Sequence, residues 1–391
     1  MADAKENVES IVNRADALYH DLGFGTVTRF KEENPEGKVI GCLPTYSPKE
    51  IIHAAGMLPV HLRGAGDQLE IIRGDAYFQS YICQLPRGMI ELALTGRLAR
   101  FDGFVFPAIC DVIRNLSGIW QILFPEKLSR YLDIPQNFEP EVGGRFYARE
   151  LRRILGDLEA MSGKKVSDDD LRRSIAAYNE NRRSIDRLMT LRAERPWLVP
   201  ADEAYLVLRA GDVLEVHEHT RMVDDYVASV IELDRPKRDH SKVVVSGAFC
   251  EQPPLALIKT LERAGCYIVW DDMTISSRFI VGDVATDGDP LEALARAFVE
   301  RSVESASVYA AKRQKGGELC RTVRRSRAEG VIFAAPSFCD PALLDQPMLQ
   351  AVLDRENIPW TAFKYAENLG QFQVIREQAG TFSDSIRLWG E

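Results

Sequence analysis

Two stretches far apart in this 391-residue chain end in the same two residues. One reads Phe104-Val105-Phe106-Pro107-Ala108-Ile109-Cys110-Asp111. The other reads Val331-Ile332-Phe333-Ala334-Ala335-Pro336-Ser337-Phe338-Cys339-Asp340. Each is an apolar run of strand length that leads into a helical pattern, and each is entered by an acid and a glycine, Asp102-Gly103 and Glu329-Gly330. In open α/β sheets the carboxyl ends of the strands form the crevice in which ligands bind. Two thiols delivered to such ends from separate parts of the chain suggest one site shared by two similar domains. Soft thiolate ligands with no matching histidine pair favour an iron–sulfur cluster over a carboxylate-binding ion. Cys83, on a helix expected over residues 76–99, is the candidate third ligand.

The remaining cysteines are read differently. Cys266 opens an apolar strand and Cys320 lies in a charged helix, so both are expected to be structural, as buried thiols usually are. Cys42 and Cys250 also stand at strand ends and compete for the role. Seven cysteines with no CxxC pair argue against a disulfide framework, a zinc ribbon or a thioredoxin motif. GxxxxGK[ST], GxSxG and HExxH are absent, and the glycine pairs Gly23/Gly25 and Gly64/Gly66 lack the third glycine of a dinucleotide loop. His217 and His219, two apart on a helical pattern, are expected to be solvated rather than a metal pair.

Composition narrows the class. Hydrophobic residues make up 46% and charged residues 27%, as in ordinary globular proteins. The formal net charge of -9 argues against a nucleic-acid partner. No apolar run approaches the roughly 18 residues of a membrane span. The charged, helical N-terminus does not read as a secretory signal, so a cytoplasmic location is expected.

Elements alternate in a way that defines the architecture. Residues 1–37 read as a helical N-terminal segment and 38–140 as a first α/β domain. Residues 141–235 form a charged helical segment, and 236–391 a second α/β domain. Strands alternating with helices of this length imply parallel sheets with right-handed crossovers. The expected fold is therefore α/β, with two Rossmann- or flavodoxin-like domains and the site in the cleft between them. Ser47-Pro48-Lys49-Glu50 reads as a capping box opening a helix.

The segment Gly41-Cys42-Leu43-Pro44-Thr45-Tyr46-Ser47-Pro48-Lys49-Glu50-Ile51-Ile52, continuing to Gly64, resembles the opening signature of the 2-hydroxyacyl-CoA dehydratase/benzoyl-CoA reductase family. Cys83, both Cys-Asp segments, Asn115, Trp120, Val243 to Gly247 and Gly370 to Arg376 carry the same resemblance. It implies a [4Fe–4S] cluster held by Cys83, Cys110 and Cys339, whereas Cys42 and Cys250 match no ligand position. Length and wording look most like the smaller, gamma-type, cluster-binding subunits of ATP-dependent benzoyl-CoA reductases. The implied partners are a homologous larger cluster-binding subunit, two ATPase subunits with a bridging iron–sulfur cluster, ferredoxin as electron donor, and benzoyl-CoA, the ring of which is reduced to a dienoyl thioester. A subunit of a radical 2-hydroxyacyl-CoA dehydratase and a non-catalytic scaffold are the alternatives.

Around that site, Glu50 is a candidate catalytic acid, with helix capping as its structural role. Asp111 and Asp340 are expected to cap helices. Arg63 is read either as a contact for a coenzyme A phosphate or as a solvated strand-end charge. Trp120 and Phe338 are expected to pack around the site.

Overall fold

The computed structural model describes residues 2–249, 253–308, 315–366 and 372–389. Helices α1 (Ala2–His20) and α2 (Gly25–Glu33) lead into β1 (Val39–Cys42), α3 (Lys49–Ala54), β2 (Leu58–His61) and α4 (Gln84–Leu94). Strand β3 (Gly103–Pro107), α5 (Asp111–Leu123) and β4 (Leu128–Leu132) follow. Next come α6 (Arg145–Ser162), α7 (Asp168–Glu194), α8 (Ala201–Ala210) and α9 (Val216–Val230). The alternation then resumes with β5 (Ser241–Ser246), α10 (Leu255–Arg263), β6 (Cys266–Asp271), α11 (Pro290–Arg301) and α12 (Gly317–Ser326). It ends with β7 (Gly330–Pro336), α13 (Asp340–Arg355), β8 (Trp360–Tyr365) and α14 (Gln373–Trp389).

The two sheets repeat one another strand for strand. Their orders are β2-β1-β3-β4 and β6-β5-β7-β8, and every pairing is parallel. This is the doubly wound α/β arrangement, with the strand order of a flavodoxin-like sheet. The apolar runs have their cause here: β1, β3 and β7 are buried at every position because helices cover both faces of a parallel sheet. Edge strand β4 has no counterpart among the expected elements, because only Leu132 of its five residues is buried and no apolar run marks it. Helix α8 has none either, although Pro200 before it and Asp202 and Glu203 in its first turn are start signals.

Packing does not follow chain order. Helix α1 supplies Val8, Ala15 and Tyr19 to the core built on β5, β6 and β7, lying against α8 and α9. In exchange, α11 crosses to the first sheet, where Leu291, Leu294 and Phe298 join its core beside α6. Among the described residues no helix is long and apolar enough to cross a membrane.

Helix α7, 27 residues and about 40 Å long, is the strut between the two cores. It begins with a complete capping box, Ser167 and Asp170 exchanging side-chain-to-backbone bonds. Farther along, Arg182 donates to Glu50 of α3 at 2.6 Å, and Arg192 donates to Asp271 at the end of β6 at 2.7 Å. Arg192 also donates to the Ile268 carbonyl at 2.7 Å and is fully buried. Removing one partner of such a pair leaves a charge stranded in a low dielectric. Arg192→Ala is therefore expected to lower unfolding stability by about 3–5 kcal/mol. Arg187→Ala, which breaks an exposed pair with Asp224, should cost less than about 1 kcal/mol. Urea unfolding of both variants checks the contrast.

His219 corrects the expectation of a solvated ring, since it is buried between α7, α8 and the Gly211 turn. Its Nε2 donates to the Val207 carbonyl at 3.0 Å, while Nδ1 accepts from Asn181 at 3.0 Å. Both bonds suit the neutral ring, and burial pushes its pKa down to about 4. The unfolded chain takes up this proton near pH 6.5 but the folded chain only near 4, so stability must fall as pH drops through that window. Urea unfolding across pH 4 to 7 should show a loss of about 3 kcal/mol from this residue, and His219→Gln should remove that share of the slope.

Candidate functional site

Cys83, Cys110 and Cys339 occupy one structural position three times over, each being the residue immediately before a helix: α4, α5 and α13. Cys110 follows β3 and Cys339 follows β7, so the two Cys-Asp segments leave topologically equivalent strands beside the central β1 and β5. Cys339 is buried, and Cys83 and Cys110 are half-buried. All three pack with the apolar core of the first sheet. Cys339 reaches it from the second sheet together with Ala335 and Ala342.

None of the three sulfurs makes a capping bond to its own helix. The helix dipole at each of these three N-termini favours negative charge beside the cysteine. The donor set thus fits an anionic iron–sulfur cluster in its chemistry: three soft ligands held on rigid strand and helix ends in apolar surroundings. Among the described residues no three His, Cys, Asp or Glu side chains group as a single metal ion requires. A cubane makes a different demand, because each thiolate takes a different iron.

Cys83, expected inside a longer helix, stands at the start of a shorter one. Pro86 is the signal for that boundary, because proline is tolerated in the first helical turn and not in the interior. Asp111 and Asp340 do not cap: the cysteines hold that place, and the acids sit in the first turn, where they complement the dipole. Trp120 is buried against Phe104, Phe106 and Phe124. Phe338, expected to pack, is half exposed and adopts a left-handed φ of 68° directly before Cys339. Cys266 is buried, as expected, and burial pushes its thiol up to about 12, as it does for Cys42. Cys320 is buried within α12, and Cys250 lies outside the described residues.

Glu50 is buried in its ion pair with Arg182. The expected capping box does not form, because Ser47 Oγ turns back to donate to the Leu43 carbonyl at 2.8 Å and Pro48 takes the cap position. Left-handed Thr45 and Tyr46 carry the chain through this turn. Thr45 Oγ1 meets the Phe249 carbonyl at 3.4 Å, and the Tyr46 hydroxyl meets Ser305. The loop after β1 is therefore fastened to the second half of the chain.

Arg63 is not a solvated strand-end charge. It is buried, donating to Asp212 at 3.0 Å, to the Met273 carbonyl at 3.3 Å and to Ser276. Burial works against the Asp212 charge, but Arg63 and Arg209 outweigh it and hold the carboxyl well below the usual range. Burial pushes neighbouring His61 down to about 4. No sequence motif marks this cluster, since its members come from three distant segments.

A cavity of about 890 Å³ lies between α7, α12 and α13 on the second sheet. Trp270, Phe333, Phe249 and Ala342 contribute apolar lining, and buried Arg182 and mostly buried Arg278 line it as well. Asp272 enters from the end of β6, where it accepts bonds from Ser246 Oγ, Gly247 N and Ala248 N at 3.0, 2.7 and 3.0 Å. Burial raises its pKa to about 6. Gly247 is required where it stands, because its φ is 114° and a Cβ would come within 3.2 Å of the Ala334 carbonyl. The backbone thereby closes tightly over the crevice between β5 and β7.

Comparison with known proteins identifies the family of the chain. A family model described as "2-hydroxyglutaryl-CoA dehydratase, D-component" matches residues 44–386. The chain is 53% identical to a benzoyl-CoA reductase subunit of Thauera aromatica, over 97% of this chain and 98% of that one. It is 30% identical to the beta subunit of (R)-2-hydroxyglutaryl-CoA dehydratase of Acidaminococcus fermentans, over 89% and 92%. The beta subunit of lactoyl-CoA dehydratase of Anaerotignum propionicum is 27% identical over 91% and 94%. With its duplicated sheets and their matching Cys-Asp strand ends, the chain belongs to the 2-hydroxyglutaryl-CoA dehydratase D-component family.

Proposed function

We propose that this chain is the [4Fe–4S]-binding subunit of an ATP-dependent benzoyl-CoA reductase. The single observation that carries the reading is its 53% identity to the Thauera aromatica benzoyl-CoA reductase subunit along nearly the whole of both chains. The dehydratase subunits stand well below, at 30% and 27%. In this reading Cys83, Cys110 and Cys339 hold the cluster in the cleft between the sheets. A cluster on three thiolates supplies low-potential electrons and leaves one iron open to an outside ligand. The protein's own part is to exclude water with the apolar core around the cysteines and to offset negative charge with three helix N-termini.

The electrons come from two ATPase subunits with a bridging iron–sulfur cluster, fed by ferredoxin. The other part of the catalytic half is a homologous larger cluster-binding subunit, and the assembly works in the cytoplasm. Glu50, tied to Arg182, acts in this account through the structure of the α3 region. The second reading, a subunit of a radical 2-hydroxyacyl-CoA dehydratase, is favoured by the family model and by the dehydratase relatives. It keeps the same cluster but changes the substrate.

Anaerobic purification with iron analysis and EPR tests the cofactor. Cys83→Ala, Cys110→Ala and Cys339→Ala should each lose the cluster, while Cys266→Ala and Cys320→Ala should keep it. Equal iron in all five variants refutes the ligand set, and a wild-type chain without iron supports a scaffold. Offering the assembled complex benzoyl-CoA or a 2-hydroxyacyl-CoA, with ATP and a strong reductant, separates reductase from dehydratase.

A further inference from the structure

A lysine drawn partly into a protein usually finds an oxygen for its ammonium group. Lys31 meets Asp102, Lys127 the Phe101 carbonyl, Lys242 the Ala193 carbonyl and Lys315 the Ser305 carbonyl. Lys49, at the start of α3, is half-buried like these four. Among the described residues its Nζ has neither a hydrogen-bond acceptor nor an ion-pair partner. It lies over the Tyr178 ring instead, 5.4 Å from the centroid, and is not sealed from solvent.

The nearby carboxylates are engaged elsewhere. Glu50 is held by Arg182, Asp212 by Arg63 and Arg209, and Glu215 lies 3.5 Å from His53. His53, one turn after Lys49, meets the same Tyr178 ring edge-on. We propose that Lys49 is a site of covalent acylation, its amine accepting the acyl group of a thioester. The proposal rests on the acyl-CoA reading for its donor and goes beyond it in naming an acceptor.

The step balances without an oxidant or reductant. The neutral amine attacks the thioester carbonyl, a C–N bond forms and the C–S bond breaks. The proton released by nitrogen passes through water to the departing coenzyme A thiolate. The product amide is uncharged, and its formation strands no carboxylate, because each neighbouring acid keeps its own counter-charge.

Reactivity follows from the surroundings. An ordinary lysine, with a pKa of about 10.4, is neutral in roughly one molecule in 2,500 at pH 7. Burial disfavours the charged form of Lys49 and pulls its pKa down, and the Arg182 charge adds to that effect. Glu50, Asp212 and Cys42 act in the opposite sense and do not outweigh burial.

The test is incubation of the full chain, purified anaerobically, with benzoyl-CoA over a series of pH values, followed by peptide mass spectrometry. Lys164, exposed and also without an ion pair among the described residues, is the internal reference. Lys49 should be benzoylated about tenfold or more faster than Lys164 at neutral pH, and its rate should level off at a lower pH. Tyr178→Phe keeps the ring and should keep both properties. Tyr178→Ala admits water and should bring Lys49 to the behaviour of Lys164. Lys49 modified no faster than Lys164, with the same pH profile, overturns the proposal whether or not either variant folds. Fast benzoylation of Lys49 in a chain without iron, or in a complex that leaves the ring unreduced, would refute the cluster or reductase reading and uphold this one.

Discussion

Two buried arginines on one helix hold this molecule together. Arg182 and Arg192 lie ten positions apart on α7, on the order of 15 Å along the axis. One takes a carboxylate from the α3 region of the first half and the other a carboxylate from the end of β6. Buried ion pairs contribute little net stability, since desolvation consumes most of their attraction. Their effect is on geometry, because each arginine has few alternative partners inside the protein. The helix therefore relates the α3 region to the carboxyl end of the second sheet. Arg63 adds a third tie, from the end of β2 to the Met273–Ser276 turn.

Given those ties, duplication explains the cysteines. Both sheets have the order in which the third strand lies beside the central one, and a chain leaving that strand arrives at the ligand crevice of a doubly wound sheet. Cys110 and Cys339 use the same exit in each. Each is followed by an acid in the first turn of a helix, so the local chemistry is repeated as well as the topology. Cys83 stands at the head of α4 without a strand before it and reaches the same core through the 3₁₀ turn and loop that precede it.

Much of this is legible in the sequence because the strands are buried on both faces and read as unbroken apolar runs. Val331 to Pro336 and Phe104 to Pro107 are the clearest examples. Strand β4 is illegible for the converse reason: its side chains are mostly half-exposed, so no run forms. Local motifs mislead where tertiary partners outbid them. Ser47 and Glu50 have the spacing of a capping box, yet one bonds back to Leu43 and the other is drawn into the interior by Arg182, more than a hundred residues later. His219 reads as solvated because its partners, Asn181 and the Val207 carbonyl, belong to other helices. The cavity has no sequence signal, since its lining comes from segments spread between residues 182 and 349.

The reciprocal placement of α1 and α11 has a bearing on synthesis. As the chain leaves the ribosome, β1 to β4 emerge early, but the helix that supplies Leu291, Leu294 and Phe298 to their core is made only after β6. Meanwhile α1, the first helix made, waits for the second sheet before Val8, Ala15 and Tyr19 are covered. Neither half can seal its interior alone, so the nascent chain carries open apolar surface until most of its length is available. Such a protein closes late, as one unit, and depends on protection from aggregation during translation.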